Sequence, residues 1–326
     1  MLIDRFGRIH NYLRISLTDN CNFRCSYCMP FGKIDCLPNK KLMQPDEIEE
    51  IATIFVGLGV KKIRLTGGEP LVRNGVEDII SRLATLPVEL TLTTNGARLR
   101  NFIGLFKEAG IRSVNVSLDS LNPGVFARIT QRDAFRQVWE NILLLLENGI
   151  RVKVNTVAIS GVIEKELFDF IEITRELPLH VRFIEFMPFS GNRWEKNKVV
   201  TAGQMLEMAE QHYDLVKLKD EPHATAKKYK VIGYEGTIAF ITTMSEHFCG
   251  ECNRIRLTAD GKMKNCLFGK EEVDILKAFR AGEPVEPFIR ESVRGKHKAM
   301  GGQFENGYRR IIPDGIENRS MIQIGG

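Results

Sequence analysis

Cys21, Cys25 and Cys28 stand in the stretch Thr-Asp-Asn-Cys-Asn-Phe-Arg-Cys-Ser-Tyr-Cys-Met-Pro, and their C-x3-C-x2-C spacing brings three thiolates onto one short loop. Three such sulfurs can hold three corners of an iron–sulfur cube. A cubane ordinarily takes four cysteines, so one iron would lack a protein ligand. An open coordination position is what separates a reactive metal site from a structural one. A zinc site, or three thiols that merely adjoin in sequence, are the alternatives. A second trio, Cys249, Cys252 and Cys266, is spaced C-x2-C-x13-C. Alone it reads as a zinc site whose fourth ligand His247 could supply, or as a second cube with one free iron. Asn253-Arg254-Ile255-Arg256 follows directly, and a strand there turns both arginines to one face. Two guanidiniums beside an open iron suit a phosphorylated ligand, because arginine grips phosphate through parallel hydrogen bonds. Surface arginines on a zinc knuckle are the bland counterpart. Cys36 has no spacing partner and reads as a bystander thiol.

Such ligands need a frame. Strand-like runs at 13–18, 62–66, 90–93, 113–117, 152–158 and 181–186 alternate with amphipathic stretches at 45–58, 76–85, 102–109, 135–148 and 164–176. Pro45 is placed to open its helix, and Gly110 and Gly149 to close theirs. Strands alternating with helices of this length predict βαβ units and a parallel sheet. Six units curve into a partial (β/α)6 TIM-like barrel, an α/β fold whose ligands gather at the carboxyl ends of the strands. The first cysteine loop follows the first strand at that end. Gly67-Gly68-Glu69-Pro70 follows the second strand, Thr94-Asn95-Gly96 the third, Asp119 the fourth and Met187-Pro188 the sixth. Past residue 190 the rhythm changes to a helix at 201–212, a charged loop at 220–229, and strands at 237–242 and 254–257. A helix begins near 285, and the chain ends Ile324-Gly325-Gly326. The expected division is a barrel over 1–195 with the first cluster, and a C-terminal α+β extension over 196–326 with the second cluster and the Gly-Gly tail.

Composition is compatible with this. The chain has 326 residues, 43% hydrophobic and 27% charged, the balance of a soluble folded protein. The first ten residues lack the apolar core of a secretory signal, and the longest aliphatic run, 142–146, is too short for a bilayer. Cytoplasm is the expected compartment, with no membrane association, and seven cysteines read there as ligands or reactive thiols rather than disulfides. A net charge of +5 is a modest excess that fits a polyanionic small molecule, a nucleic acid, or nothing in particular. The densest basic cluster, Arg294, Lys296 and Lys298, reads as a solvated helix end.

With both trios in view, the chain resembles the GTP 3′,8-cyclases of molybdenum-cofactor biosynthesis, a family of radical S-adenosylmethionine (SAM) enzymes. The resemblance runs almost end to end, through 13–30, 62–71, 93–96, 115–121, 152–157, 182–187, 248–257, 266–269 and the double-glycine terminus. The first cysteine motif and Gly-Gly-Glu-Pro mark the superfamily; the second trio with its arginines, and the tail, mark the family. The resemblance implies two [4Fe-4S] clusters, ligated by Cys21, Cys25 and Cys28 and by Cys249, Cys252 and Cys266. SAM would bind the first through its open iron, with Tyr27, Gly68, Ser117 and Met187 around it. Cleavage of SAM would give a 5′-deoxyadenosyl radical that takes the 3′ hydrogen of GTP. The ribose radical would then attack guanine C8 to give 3′,8-cyclo-7,8-dihydro-GTP. Arg14, Arg64, Thr93, Lys153, Arg254 and Arg256 match the GTP-contacting positions, Arg182 is a further phosphate contact, and Gly325 and Gly326 would enter the active site. A flavodoxin- or ferredoxin-type electron donor, a downstream cyclic pyranopterin monophosphate synthase and a homodimer are family expectations; nucleic acid is not an expected partner. Asn20 stands where an arginine is common, and Met321-Ile-Gln-Ile precedes the tail where others carry a tyrosine. Two rivals are a radical SAM enzyme acting on a peptide or another nucleotide, and a zinc-stabilised nucleic-acid-binding module.

Overall fold

The computed structural model describes residues 1–29, 36–304, 308–312 and 315–325. Its first part repeats a strand–helix unit: β1 (Tyr12–Ser16), α1 (Pro45–Gly57), β2 (Lys62–Thr66), α2 (Val76–Ala84), β3 (Glu89–Thr94), α3 (Ile103–Glu108), β4 (Ser113–Ser117), α4 (Pro123–Thr130), α5 (Phe135–Glu147), β5 (Arg151–Ala158), α6 (Ile163–Glu172) and β6 (His180–Glu185). There follow α7 (Ala202–Glu210), β7 (Leu215–Lys217), β8 (Ala226–Val231), β9 (Thr237–Ile241), β10 (Arg254–Leu257), β11 (Lys262–Lys264), β12 (Val273–Asp274), α8 (Ile275–Arg280), α9 (Glu286–Arg294) and the short α10 (Met321–Ile324).

Local chemistry explains these elements. Pro45 opens α1, and Gln44 and Glu47 form a reciprocal capping box there, satisfying amide donors that the first turn leaves free. The helix buries Ile48, Ile51, Ala52 and Phe55, one stripe at three- and four-residue spacing. β5 alternates instead: Val152, Val154, Thr156 and Ala158 are buried, while Lys153 and Asn155 line the cavity on the other face. Apolar side chains between sheet and helices form the main core.

The strands β1 to β6 pair in parallel in chain order. β10 joins in parallel beside β1, and β9 beside β6. Antiparallel pairs, β11–β12 and β8–β7, finish the two edges. The sheet stays open, a partial TIM-like barrel that the C-terminal segment prolongs on both sides. Glu185, at the end of β6, stitches the parts together: its carboxylate accepts hydrogen bonds from the amides of Ala202 (2.8 Å), Met244 (2.6 Å) and Ser245 (2.8 Å). A second apolar cluster around Phe189, Trp194, Phe268 and Met300 packs there, and the buried Trp194 Nε1 donates to the Phe186 carbonyl at 2.9 Å.

Two expectations need correction. The stretch 220–229 is not all loop, because β8 begins at Ala226 and pairs with β9; its lysines decorate a strand close to a sheet edge. α4 was not foreseen, since Asn122-Pro123-Gly124 reads as a turn. In the fold the Asn122 side chain accepts from the amides of Gly124 (2.9 Å) and Val125 (3.1 Å), so those residues cap a helix. Among the described residues no helix is long and apolar enough to cross a membrane.

Candidate active site between two cysteine trios

Cys21, Cys25 and Cys28 line a cavity of about 170 Å3 at the carboxyl ends of the strands, together with Tyr27, Gly68, Ser117 and Met187. The loop is bolted to β2: Gly68 N donates to Thr18 O at 2.6 Å and Glu69 N to Asn20 O at 2.9 Å. A Cβ on Gly68 would lie 2.4 Å from the Asn20 carbonyl oxygen, and one on Gly67 (φ +152°) 2.6 Å from that of Thr18. Only glycine lets these two chain segments touch. Glu69 is buried and accepts from Leu71 N, Thr94 Oγ1 and Asn95 N at 3.0, 2.7 and 2.6 Å; burial lifts its carboxyl to about 7. Tyr27 donates to Asp119 Oδ2 at 2.7 Å, while Asp119 Oδ1 accepts from Val157 N at 3.0 Å. Burial, then Glu69, pushes the Cys21 thiol up to about 11. Burial, then Cys21, pushes Cys28 up to about 12, and Cys25 is raised well above its ordinary value by burial and Asp119.

The middle of the barrel holds a cavity of about 350 Å3 lined by cations. The register sets them side by side: Arg256, Arg14 and Arg64 oppose one another across β10, β1 and β2. Thr93, Asn115, Lys153 and His180 form a second row across β3 to β6, and Arg182 sits opposite Asn155. Unit charges about 5 Å apart repel by about 3 kcal/mol at an effective dielectric constant of about 20. The groups respond accordingly. Burial and then neighbouring cations bring Arg256 to about 10, Arg182 to about 9 and Lys153 to about 8, and hold Arg14 well below its ordinary value. Burial would raise the Tyr12 phenol, but Arg64 and Arg14 outweigh it and bring it to about 7. Among the described residues, buried Asn115 Oδ1, Asn155 Oδ1 and Arg182 Nε have no hydrogen-bond partner. Such a cavity calls for a polyanion with polar edges. Tyr12 and Lys62 line it but were missed from sequence, although each lies two residues before a foreseen arginine, on the same strand face.

Cys249, Cys252 and Cys266 border a third cavity, of about 70 Å3, with Arg254, Arg256 and Lys296. His247, the possible fourth zinc ligand, is exposed on its rim. Lys296 is only 2% exposed, so the basic cluster 294–298 is not wholly the solvated helix end expected: the chain turns after α9 and drives this lysine inward. Burial raises the Cys249 thiol. At Cys252 burial opposes the thiolate, but Lys296 and Arg254 prevail and hold the thiol below its ordinary value. The tail reaches the same place. Arg256 Nη1 donates to the Gly325 carbonyl at 2.7 Å, and Gly325 (φ +85°) is packed so that a Cβ would meet Thr66 Oγ1 at 2.7 Å. Gly326 lies outside the described residues. Cys36 is exposed.

The three cavities run together. Thr93, Asn155, Met187 and Met321 border both the first and the middle one, and Thr243, Arg254 and Arg256 both the middle and the third. Each trio fits a cluster in its donor chemistry: clustered thiols, most of them resisting ionisation when bare, are deprotonated outright by a bound cation. Among the described residues no group of three Cys, His, Asp or Glu converges as a single ion requires; the corners of a cube lie farther apart than the ligands of one zinc.

Known proteins bear on this geometry. Residues 15–173 match the Radical SAM superfamily and 179–301 the family described as Molybdenum Cofactor Synthesis C. The mouse molybdenum cofactor biosynthesis protein 1 is 46% identical, over 99% of this chain and 51% of its own length, so the chain spans about half of that relative. The mitochondrial GTP 3′,8-cyclase of Arabidopsis thaliana is 43% identical over 100% of this chain and 84% of its own length. The GTP 3′,8-cyclase of Desulforamulus reducens is 39% identical over 100% of both chains. Among solved structures, Streptococcus suis SuiB bound to SAM shares the fold, with a TM-score of 0.62 at 14% identity over 97% of this chain and 77% of SuiB. From the barrel mouth to the second trio, the chain belongs to the GTP 3′,8-cyclase family of radical SAM proteins, whose cofactors are two [4Fe-4S] clusters and SAM.

Proposed function

We propose that this chain cyclises GTP to 3′,8-cyclo-7,8-dihydro-GTP, removing the 3′ hydrogen and joining C3′ to guanine C8. The observation that carries the reading is the row Arg256–Arg14–Arg64 lining the middle cavity, which lies between two cavities that each expose three thiols. Cys21, Cys25 and Cys28 would hold the cluster that binds SAM, and Cys249, Cys252 and Cys266 the second cluster. The first cluster with SAM supplies a primary carbon radical able to take an unactivated hydrogen.

The protein's part is placement and exclusion. Tyr27, fixed by Asp119, lines the SAM cavity with Gly68, Ser117 and Met187. Arg14, Arg64 and Lys153 grip the triphosphate, and Arg182 adds a further contact. Arg254 and Arg256 bridge that grip to the second trio, whose cluster would take the guanine end of the substrate. Thr93, common to the first and middle cavities, would face the substrate ribose. Gly325, held by Arg256, closes the mouth against water and stray C–H bonds. Held orientation of this kind can supply much of a barrier reduction. Residues 1–195 would carry the first cluster and most of the triphosphate contacts, and 196–326 the second cluster and the tail. A flavodoxin- or ferredoxin-type donor, a downstream cyclic pyranopterin monophosphate synthase, a homodimer and a cytoplasmic setting complete the reading.

The test is anaerobic: the iron- and sulfide-loaded chain, a reductant, SAM and GTP. The cyclised nucleotide should form together with 5′-deoxyadenosine. Formation of 5′-deoxyadenosine without any cyclised nucleotide would favour a peptide or another nucleotide as substrate.

A further inference from the structure

Lys296 is buried within hydrogen-bonding reach of a metal-ligating thiol. Its Nζ donates to Cys252 Sγ at 3.4 Å and to the Arg254 carbonyl at 2.8 Å. An ammonium group is seldom buried without an anion or a full set of acceptors. Among the described residues its partners are a carbonyl and a sulfur, and the sulfur becomes an anion only as a thiolate. The lysine is therefore matched to a ligand in its metal-binding form.

Its position is fixed by a buried network that no motif announced. Asp4 pairs with Arg8 Nε at 2.6 Å and lies 3.0 Å from His10 Nε2. The other guanidinium nitrogens of Arg8 donate to three carbonyls: Cys249 at 2.7 Å, His297 at 2.7 Å and Lys298 at 2.8 Å. One side chain thus ties the loop of the second trio to the segment that carries Lys296. From the other side, Asn265 Nδ2, beside Cys266, donates to the Ser292 carbonyl of α9 at 2.8 Å. Met300 N adds a neutral donor to Cys249 Sγ at 3.4 Å. The first trio is set differently: Cys21 Sγ receives the Phe23 amide at 3.4 Å and the Asn95 side chain at 3.8 Å, both neutral donors.

We propose that Lys296 is a positioning residue for the second trio: its ammonium group, hydrogen-bonded to Cys252 Sγ, raises the reduction potential of the cluster that this trio would hold. The physical basis is general, since a cation and a hydrogen bond at a ligating sulfur favour the reduced, more negative state. The proposal rests on the reading that this trio carries a [4Fe-4S] cluster.

The experiment is a potentiometric titration, followed by electron paramagnetic resonance, of the full chain loaded anaerobically with iron and sulfide. Lys296→Gln removes the charge and leaves a neutral donor on a side chain one bond shorter; Lys296→Arg keeps the charge. In Lys296→Gln the second cluster should shift to a more negative potential while the first, the internal reference, stays where it is. Lys296→Arg should return the value towards that of the unsubstituted chain. An unmoved second potential, or an equal shift of both clusters, overturns the proposal. If Lys296→Gln does not assemble the second cluster, the arginine variant decides: restored assembly and potential support charge setting, and failure of both reduces Lys296 to packing. An unsubstituted chain with only one cluster would instead sink the cluster reading, and the proposal with it.

Discussion

Around Cys21, Cys25 and Cys28 lie Glu69 and Asp119, both buried carboxyls lifted by their surroundings. Around Cys249, Cys252 and Cys266 stand Lys296, Arg254 and Arg256. The ligand count is the same and the field is opposite. The difference follows from position. The first trio sits on a loop laid across the β2 turn, where close backbone contact selects glycines and the Glu69 carboxylate is consumed in capping. The second precedes and follows strands whose inner face is basic, so its cavity opens onto the arginine row. A carboxylate-flanked cluster suits a site that binds a ligand with its own ammonium group; a cation-flanked one suits a polyanion. Three thiols alone do not decide which is which.

Ligand removal tests the division most severely. Cys28→Ser should cost about half of about eight irons and all 5′-deoxyadenosine formation. Cys252→Ser should lose a similar share of iron and all cyclised nucleotide, yet still cleave SAM. If both variants lose SAM cleavage alike, the two trios do not divide the labour. Next come the arginines. Arg14→Met and Arg256→Met should weaken GTP binding by about 10- to 100-fold, the range for a hydrogen bond to a charged group. The melting temperature of the nucleotide-free protein should hold or rise, because the substitution relieves repulsion. A fall in melting temperature with unchanged affinity would make them structural ion pairs.

Gly325→Ala should act more mildly. Left-handed strain of about 1–2 kcal/mol, and the contact with Thr66, displace the tail and slow turnover by about tenfold at constant iron content. A variant as fast as the parent would remove the tail from the mechanism. The smallest effect is on pH dependence. Lys153 falls from an ordinary 10.5 to about 8 in the fold, so between those values the unfolded chain binds more protons than the native one. Stability should therefore rise with pH across that window, in denaturant titrations of the nucleotide-free protein. Lys153→Met should flatten the slope, and bound GTP should shrink it; an equal slope in the variant would assign it to other groups.

Much of the site could be read from spacing, because its ligands arrive in short motifs directly after strands, where the chain must turn. The helices of the barrel announced themselves through Pro45, Gly110, Gly149 and their apolar stripes. α4 did not, since its proline and glycine mimic a turn until the Asn122 cap is seen. β8 did not, since Lys227, Lys228 and Lys230 look like a solvated loop when the pairing partner is unknown. Asp4, Arg8 and His10 carried no signal at all: Asp4 holds Arg8 and contacts His10, and the Arg8 guanidinium donates to carbonyls about 240 to 290 residues away in the chain.

The sequence by itself determined which atoms can act, because thiol spacing, strand alternation and glycine placement are local properties written in order along the chain. Only the tertiary structure decided what those atoms face. β10 pairs with β1 across more than two hundred residues of sequence, and that register alone places Arg254 opposite Tyr12 and Arg256 opposite Arg14. Likewise Lys296 is a surface residue by composition and a buried partner of Cys252 by fold. Charge interactions depend on distance through space, and distance through space is what a linear pattern does not contain.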